Sequence, residues 1–201
     1  RSPSRGLGDV YKRQSLWSCD PISSKPSELI DWIPQNSSWV IQINDGNTLT
    51  SELTNNEVFK EIKLLNKGLT ADISVLLSGT PDIESLLCVT KVGKNPGALT
   101  HIYKAPLDST LMNGPSIEYS KVQINIEKRA TKVLYSTNIS GYTLRSTSQL
   151  LIENCIRTSQ QNSTSNTTKL FKTIYTTSDT GAPINICLLY TSPSPRDGLL
   201  S

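Results

Sequence analysis

Between Lys121 and Glu127 the chain alternates without a break: Val122, Ile124 and Ile126 are apolar, while Lys121, Gln123, Asn125 and Glu127 are polar. Successive side chains of a strand point to opposite faces, so this is a strand with one greasy and one wet face, the signature of antiparallel sheet. The apolar face needs a cover. The segments Asn55–Asn66, Ser148–Thr158 and Thr167–Thr176 each carry one apolar stripe of about the right width to supply it. The expectation is an α+β domain: an antiparallel sheet with the helices packed on one face.

The remaining elements fit this plan. Glu28–Ile33 is short and apolar and is stopped by Pro34. Ser38–Asn44 reads as a strand ended by the Asp45-Gly46 turn signal. Thr54-x-x-Glu57 reads as a capping box, with Val58, Phe59, Ile62 and Leu65 at helical spacing and Gly68 as the stop. Ile73–Leu77, Leu86–Val92 and Leu99–Tyr103 read as strands. Lys132–Thr137 and Tyr142–Arg145 flank Ser140-Gly141 as a hairpin. Ser146-x-x-Gln149 caps a helix whose buried stripe is Leu151, Ile152, Cys155 and Ile156. Gln160–Thr168 is a polar loop, Asn166 caps a last helix through Leu170, Phe171 and Ile174, and Ala182–Ile186 starts a strand. Strands and helices do not alternate as βαβ units, so no parallel nucleotide-binding sheet is expected.

Both ends read differently. Cys187 to Asp197 resembles one frame of a translated transposase sequencing adapter, and Ser4 to Gln14 resembles a frame of its reverse complement. The expected organisation is therefore 1–14 adapter-derived, 15–27 a lipobox remnant and tether, 28–186 a truncated α+β domain, and 187–201 adapter-derived. Composition then changes meaning. The chain has 20 Lys+Arg against 17 Asp+Glu and a formal net charge of +3. Setting aside the basic Arg1, Arg5, Lys12, Arg13 and Arg196 and the acidic Asp9 and Asp197 leaves equal numbers and no net charge. The basic surplus that would suggest a nucleic-acid partner disappears, and none is expected. Of the four cysteines, Cys19, Cys88 and Cys155 remain, so an even disulfide framework is lost.

Leu16-Trp17-Ser18-Cys19 has the order of a bacterial lipobox: an aliphatic residue, a small residue just before the cysteine, then the thiol that accepts the diacylglyceryl group. Asp20 to Ser27 follows as a polar Pro/Ser tether with too little apolar content to fold. The expected site residue is thus Cys19, lipidated, with the membrane as partner through that anchor. The expected location is the periplasmic or surface face of a bacterial envelope; no protein partner is named by the residues.

Ile33-Pro34-x-Asn36-Ser37-x-x-Val40-Ile41-x-Ile43-Asn44 and Ser146-x-Ser148-Gln149-Leu150-Leu151-Ile152-Glu153-Asn154-x-Ile156-Arg157, with Phe171 and Ala182-Pro183-Ile184-Asn185-Ile186, resemble an uncharacterised family of flavobacterial (Bacteroidota) envelope lipoproteins built from repeated helix-and-sheet units. The resemblance implies further units beyond Ile186 and supplies no catalytic residue.

Chemistry-bearing patterns are few. His101 is the single imidazole and is expected to be a partnered or surface histidine rather than a catalytic or metal-bound one. Cys88 and Cys155 have apolar neighbours and read as buried thiols; a disulfide between them, or a Cys88–His101 nucleophile pair, are the sharper alternatives. One His with two internal Cys does not make a structural zinc site. Gly79-Thr80-Pro81-Asp82 and Gly93-Lys94-Asn95-Pro96-Gly97 are turn chemistry rather than phosphate loops. Glu84 and Asp72 have no paired carboxylate. Asn36, Asn138, Asn162 and Asn166 head N-x-S/T triplets, as expected by chance in so Ser/Thr/Asn-rich a chain. Trp32 and Trp39 flank Pro34 as core anchors, with a carbohydrate-stacking pair as the alternative. No catalytic, metal or cofactor residue is expected. Two function classes follow: a non-enzymatic envelope lipoprotein module for structure, assembly or binding, and the N-terminal accessory module of a periplasmic enzyme whose catalytic part lies downstream.

Overall fold

The computed structural model describes residues 28–46, 69–93, 95–109, 114–129, 132–161, 166–179 and 181–188. Cys19, the tether and the Thr54–Gly68 helix expected from sequence, including Phe59, lie outside them. A 3-10 turn at Leu29–Trp32 leads into β1 (Ser37–Ile43), α1 (Leu69–Leu77), β2 (Ser85–Val92), β3 (Asn95–Tyr103), β4 (Ser116–Tyr119), β5 (Val122–Arg129), β6 (Lys132–Ile139), β7 (Tyr142–Ser146), α2 (Gln149–Gln161), α3 (Asn166–Tyr175) and β8 (Ile184–Leu188). Among the described residues, all eight strands form one antiparallel sheet in the order β4-β5-β6-β7-β3-β2-β1-β8. The α+β reading holds at this level. The sheet is two meanders fused at β3–β7, where hydroxyls stitch the seam: Ser146 Oγ donates to the Leu99 carbonyl at 2.7 Å, and Thr100 Oγ1 to Ser146 Oγ at 3.2 Å. Cys187 and Leu188 continue the strand expected at Ala182–Ile186, opposite Val40 and Trp39 of β1.

Strand periodicity divides the core in two. Val40, Leu86, Cys88, Ile102, Ile124 and Leu144 point to one face, where Ile152, Cys155, Ile156 and Phe171 of α2 and α3 cover them together with Trp32. Ile41, Ile43, Leu87, Val89 and Leu99 point to the other, where Ile73 and Leu76 of α1 cover them. This corrects two expectations. Ile73–Leu77 is helix rather than strand, because Ile73 and Leu76 are three apart and bury together on one helical face. The helices are therefore not all on one face: two of the expected ones, now α2 and α3, share a face, and α1 takes the opposite one.

Smaller differences have local causes. Ser146 is the last residue of β7 rather than a helix cap, and the Gln149 amide donates forward to Glu153 Oε1 at 2.7 Å instead of back. Among the described side chains of α3, Phe171 is buried and Tyr175 half-buried. Leu170 and Ile174 are exposed because α3 leans on the 3-10 turn rather than lying flat on the sheet. The Ser140-Gly141 hairpin forms as expected, with positive φ of 53° and 83° at its two residues. A second such turn, at Ser120 (φ 49°) and Lys121 (φ 64°), joins β4 to β5 without the usual Asn-Gly signal. After α1, Gly79 adopts φ 72° and the Thr80 N–H returns to the Leu77 carbonyl, ending the helix in a left-handed cap.

Candidate functional site

The sheet itself separates the residues that looked reactive in sequence. Cys88 pairs with Thr100 while His101 pairs with the neighbouring Leu87, so the thiol and the imidazole stand on opposite faces. A Cys88–His101 nucleophile pair is excluded by strand parity. Cys88 and Cys155 are both free and buried in the α2 core. Burial pushes the Cys155 thiol up to about 12. Burial and the nearby Cys155 push Cys88 higher still, against a small opposing effect of the Ser37 hydroxyl. Both behave as the small hydrophobes expected. Trp32 belongs to the α2 core and Trp39 packs against the α1 core, so they cannot stack on one sugar.

His101 departs from expectation: it is buried, and neither ring nitrogen has a hydrogen-bond partner. Burial, then the adjacent Arg145, holds its pKa down at about 3. It starts a row that sequence reading missed. His101, Arg145, Ser136 and Asn125 are successive register partners across β3, β7, β6 and β5, and all four are buried. Arg145 donates to the Ser78 carbonyl at 3.1 Å and to Glu127 Oε2 at 3.2 Å. Arg129 shares Glu127 at 2.6 Å and reaches Ser78 Oγ at 2.9 Å. Lys132 pairs with Asp72 at 3.1 Å. These cations meet the C-terminal end and the first turn of α1, and the arginines lie where the helix dipole favours positive charge. The row clamps α1 to the sheet. The available signal was Arg145 inside a strand otherwise free of charge.

The concave site lies on the other face. Glu28 and Asp31 form a reciprocal capping box that starts the 3-10 turn. Pro34 stops it, and Asn36 takes a left-handed φ of 62° to feed β1. Ser37 Oγ donates to the Pro34 carbonyl at 2.8 Å and bonds Thr90 Oγ1 at 3.0 Å, fixing this loop to β2. The Cys155 thiol sits 3.8 Å from the Trp32 carbonyl, fixing it to α2. Between loop and helix opens a cleft of ≈ 540 Å³, within the range typical of small-molecule sites. Its apolar wall is Ile33, Pro34, Leu151 and Cys155; its polar rim includes Asn36, Lys91, Asn154 and Arg157. Trp32 also lines it, and its buried indole Nε1–H has no partner. The two sequence motifs beginning at Ile33 and at Ser146 thus face one another across this cleft.

A second cleft of ≈ 420 Å³ lies on the other side of the 3-10 turn, lined by Glu28, Leu29, Ile30, Ile83, Glu84, Lys104, Tyr142 and Tyr175. It is occupied by its own contacts: Tyr175 donates to Glu84, Gln42 Nε2 to the same carboxylate at 3.2 Å, and Lys104 lies 5.9 Å from the Tyr142 ring centroid. Asn138 donates to the Ala105 carbonyl at 3.0 Å and Asn166 begins α3; Asn162 lies outside the described residues. Among the described residues no group of three or more His, Cys, Asp or Glu could hold a metal ion. No protein-family model, curated protein or solved structure matches the chain.

Proposed function

We propose that the chain is a non-enzymatic binding module of a bacterial cell envelope, tethered through a lipid on Cys19 and using the cleft between the Trp32–Asn36 loop and α2 as its contact surface. The cleft carries this reading. It combines a rigid apolar wall with convergent polar groups, and its loop is fixed to two separate elements by Ser37 and Cys155, the kind of support a preorganised site requires. The lipobox order Leu16-Trp17-Ser18-Cys19 and the polar segment after it support the anchor.

A fragment library screened against the ¹⁵N-labelled chain tests the contact surface. Shifts should concentrate on Trp32, Asn36, Asn154 and Thr158; hits scattered over the molecule would sink the reading. For the anchor, globomycin should accumulate an unprocessed precursor of the envelope-targeted protein, and an unchanged band would remove Cys19 from it.

A further inference from the structure

Apolar side chains exposed singly on a surface need no explanation; two that stack one helical turn apart do. On α3, Leu170 is 58% and Ile174 39% exposed. They stand at i and i+4, so they form one ridge along the helix. Phe171 and Tyr175, each one residue further on, turn into the core. Lys169 and Thr173, each one residue before, are exposed. The ridge therefore runs between the packed side of α3 and a polar side that carries a lysine. The helix contains no Asp or Glu; its charged residues are Lys169 and Lys172. Apolar side chains bordered by lysine are what a helix lying along a lipid interface presents.

The chain's path sets this ridge beside the tether. Lys172 Nζ lies 2.9 Å from Glu28 Oε2, and α3 packs on the 3-10 turn that follows Glu28. Eight residues, Asp20 to Ser27, separate Glu28 from Cys19. Fully extended they reach about 30 Å at most, so an anchor at Cys19 keeps the Glu28 side of the molecule close to the bilayer.

Resting on the lipid anchor at Cys19, we infer that the exposed face of α3 docks on the anionic bilayer surface that holds the anchor. Leu170 and Ile174 enter the headgroup region and Lys169 meets the lipid phosphates, while Lys172 is shared with Glu28. Two apolar side chains bind a bilayer weakly by themselves. The tether makes the contact intramolecular, so a weak patch suffices.

The test uses the full chain with Cys187→Ser, alkylated at Cys19 with N-tetradecylmaleimide; Cys88 and Cys155 are buried. One acyl chain of that length holds a protein on vesicles only marginally, so a second contact is read as added partition. Partition is measured by sedimentation with phosphatidylcholine vesicles, with and without phosphatidylglycerol. Leu170→Gln with Ile174→Gln should lower it about tenfold on the mixed vesicles. Lys169→Gln should lower it about fivefold there and leave it unchanged on phosphatidylcholine alone. Ile186→Gln is the control: Ile186 is 37% exposed, but as the partner of Ile41 it stands on the α1 face, and its loss should change nothing. Each variant should keep the parent's circular dichroism. Unchanged partition for the α3 pair, or an equal loss for Ile186→Gln, would overturn the inference. Because the acyl chain is attached chemically, that outcome is independent of how cells process Cys19. An unchanged globomycin band would instead remove the anchor on which the inference rests.

Discussion

Arg145 in β7 reaches the carbonyl of Ser78, 3.1 Å away, at the end of α1, and through its second nitrogen meets Glu127 in β5. One buried guanidinium thus ties α1, remote in sequence, to two strands of the β4–β7 meander. Breaking a buried charge pair from one side is costly because the other partner is stranded. Arg145→Met is expected to lower stability to urea by about 3 kcal/mol. Glu127→Gln should cost less, since Glu127 is partly exposed and also serves Arg129. A double-mutant cycle should show coupling between the two; strict additivity would mean that the clamp contributes nothing as a pair.

His101 gives stability a pH dependence of defined sign. An unfolded histidine takes up a proton near 6.5, whereas the folded one resists until about 3. Unfolding therefore gains a proton between those values. Stability is flat with respect to this group above pH 6.5 and falls as pH drops toward 3, by up to about 1.4 kcal/mol per pH unit. His101→Leu keeps most of the volume and removes two unpaired nitrogens, so it should be neutral or stabilising at pH 7 and flatten the acid limb relative to the unaltered chain. His101→Ala should be destabilising, because the site is buried rather than on the surface. Parallel acid limbs for His101→Leu and the parent would refute this account.

Thiol reactivity should follow burial. Cys187 is half-exposed in edge strand β8, while Cys88 and Cys155 are buried with thiols pushed far above their ordinary range. Iodoacetamide at pH 8, read by peptide mass spectrometry, should label Cys187 in the native state. Cys88 and Cys155 should react only at the rate of unfolding, and faster native labelling of either would contradict the α2 core.

The Ser120-Lys121 turn is an improvable position. Both residues have left-handed backbones, costly for side-chain-bearing residues and cheap for Asn-Gly. Ser120→Asn with Lys121→Gly should raise stability by about 1 kcal/mol. A lower melting temperature would show that the β4–β5 connection is not this turn.

Ile152 of α2 is fully buried against the sheet, and Leu170 on α3 is among the most exposed large apolar residues described. Ile152→Asp should leave the chain unfolded by circular dichroism, because it places an unpaired charge in the core. Leu170→Asp should fold normally. The reverse ranking would exchange the buried and exposed faces of the helical layer.

These contrasts show what the residues disclosed. Val122, Ile124 and Ile126, and the stripe Leu151, Ile152, Cys155 and Ile156, were legible because their periods repeat over several turns or residues. Ile73–Leu77 was not: a short apolar run satisfies helix and strand equally until the tertiary partner chooses. Ser120-Lys121 lacked turn residues, and its conformation is imposed by the register of Tyr119 opposite Val122. The cleft residues Asn36, Asn154 and Arg157 stood in motifs that read as packing. Their convergence requires the Trp32–Asn36 loop and α2 to be juxtaposed, which local pattern does not encode. Asn125 illustrates the same limit, polar by alternation yet buried in the row beside Arg145.

The β3–β7 seam has a consequence for how the molecule assembles. Strands β4 to β7 are neighbours in sequence as well as in space and need only short hairpin closures. The seam must close the long excursion from Tyr103 to Thr143, and β8 finds β1 only after the chain has carried α2 and α3 across the face. Closure entropy rises with loop length, and distant pairings form slowly. The edge made by β8 is then the last part to zip and the first to open, so its amides should exchange soonest, while those of the β5–β6–β7 meander record the oldest structure in the fold.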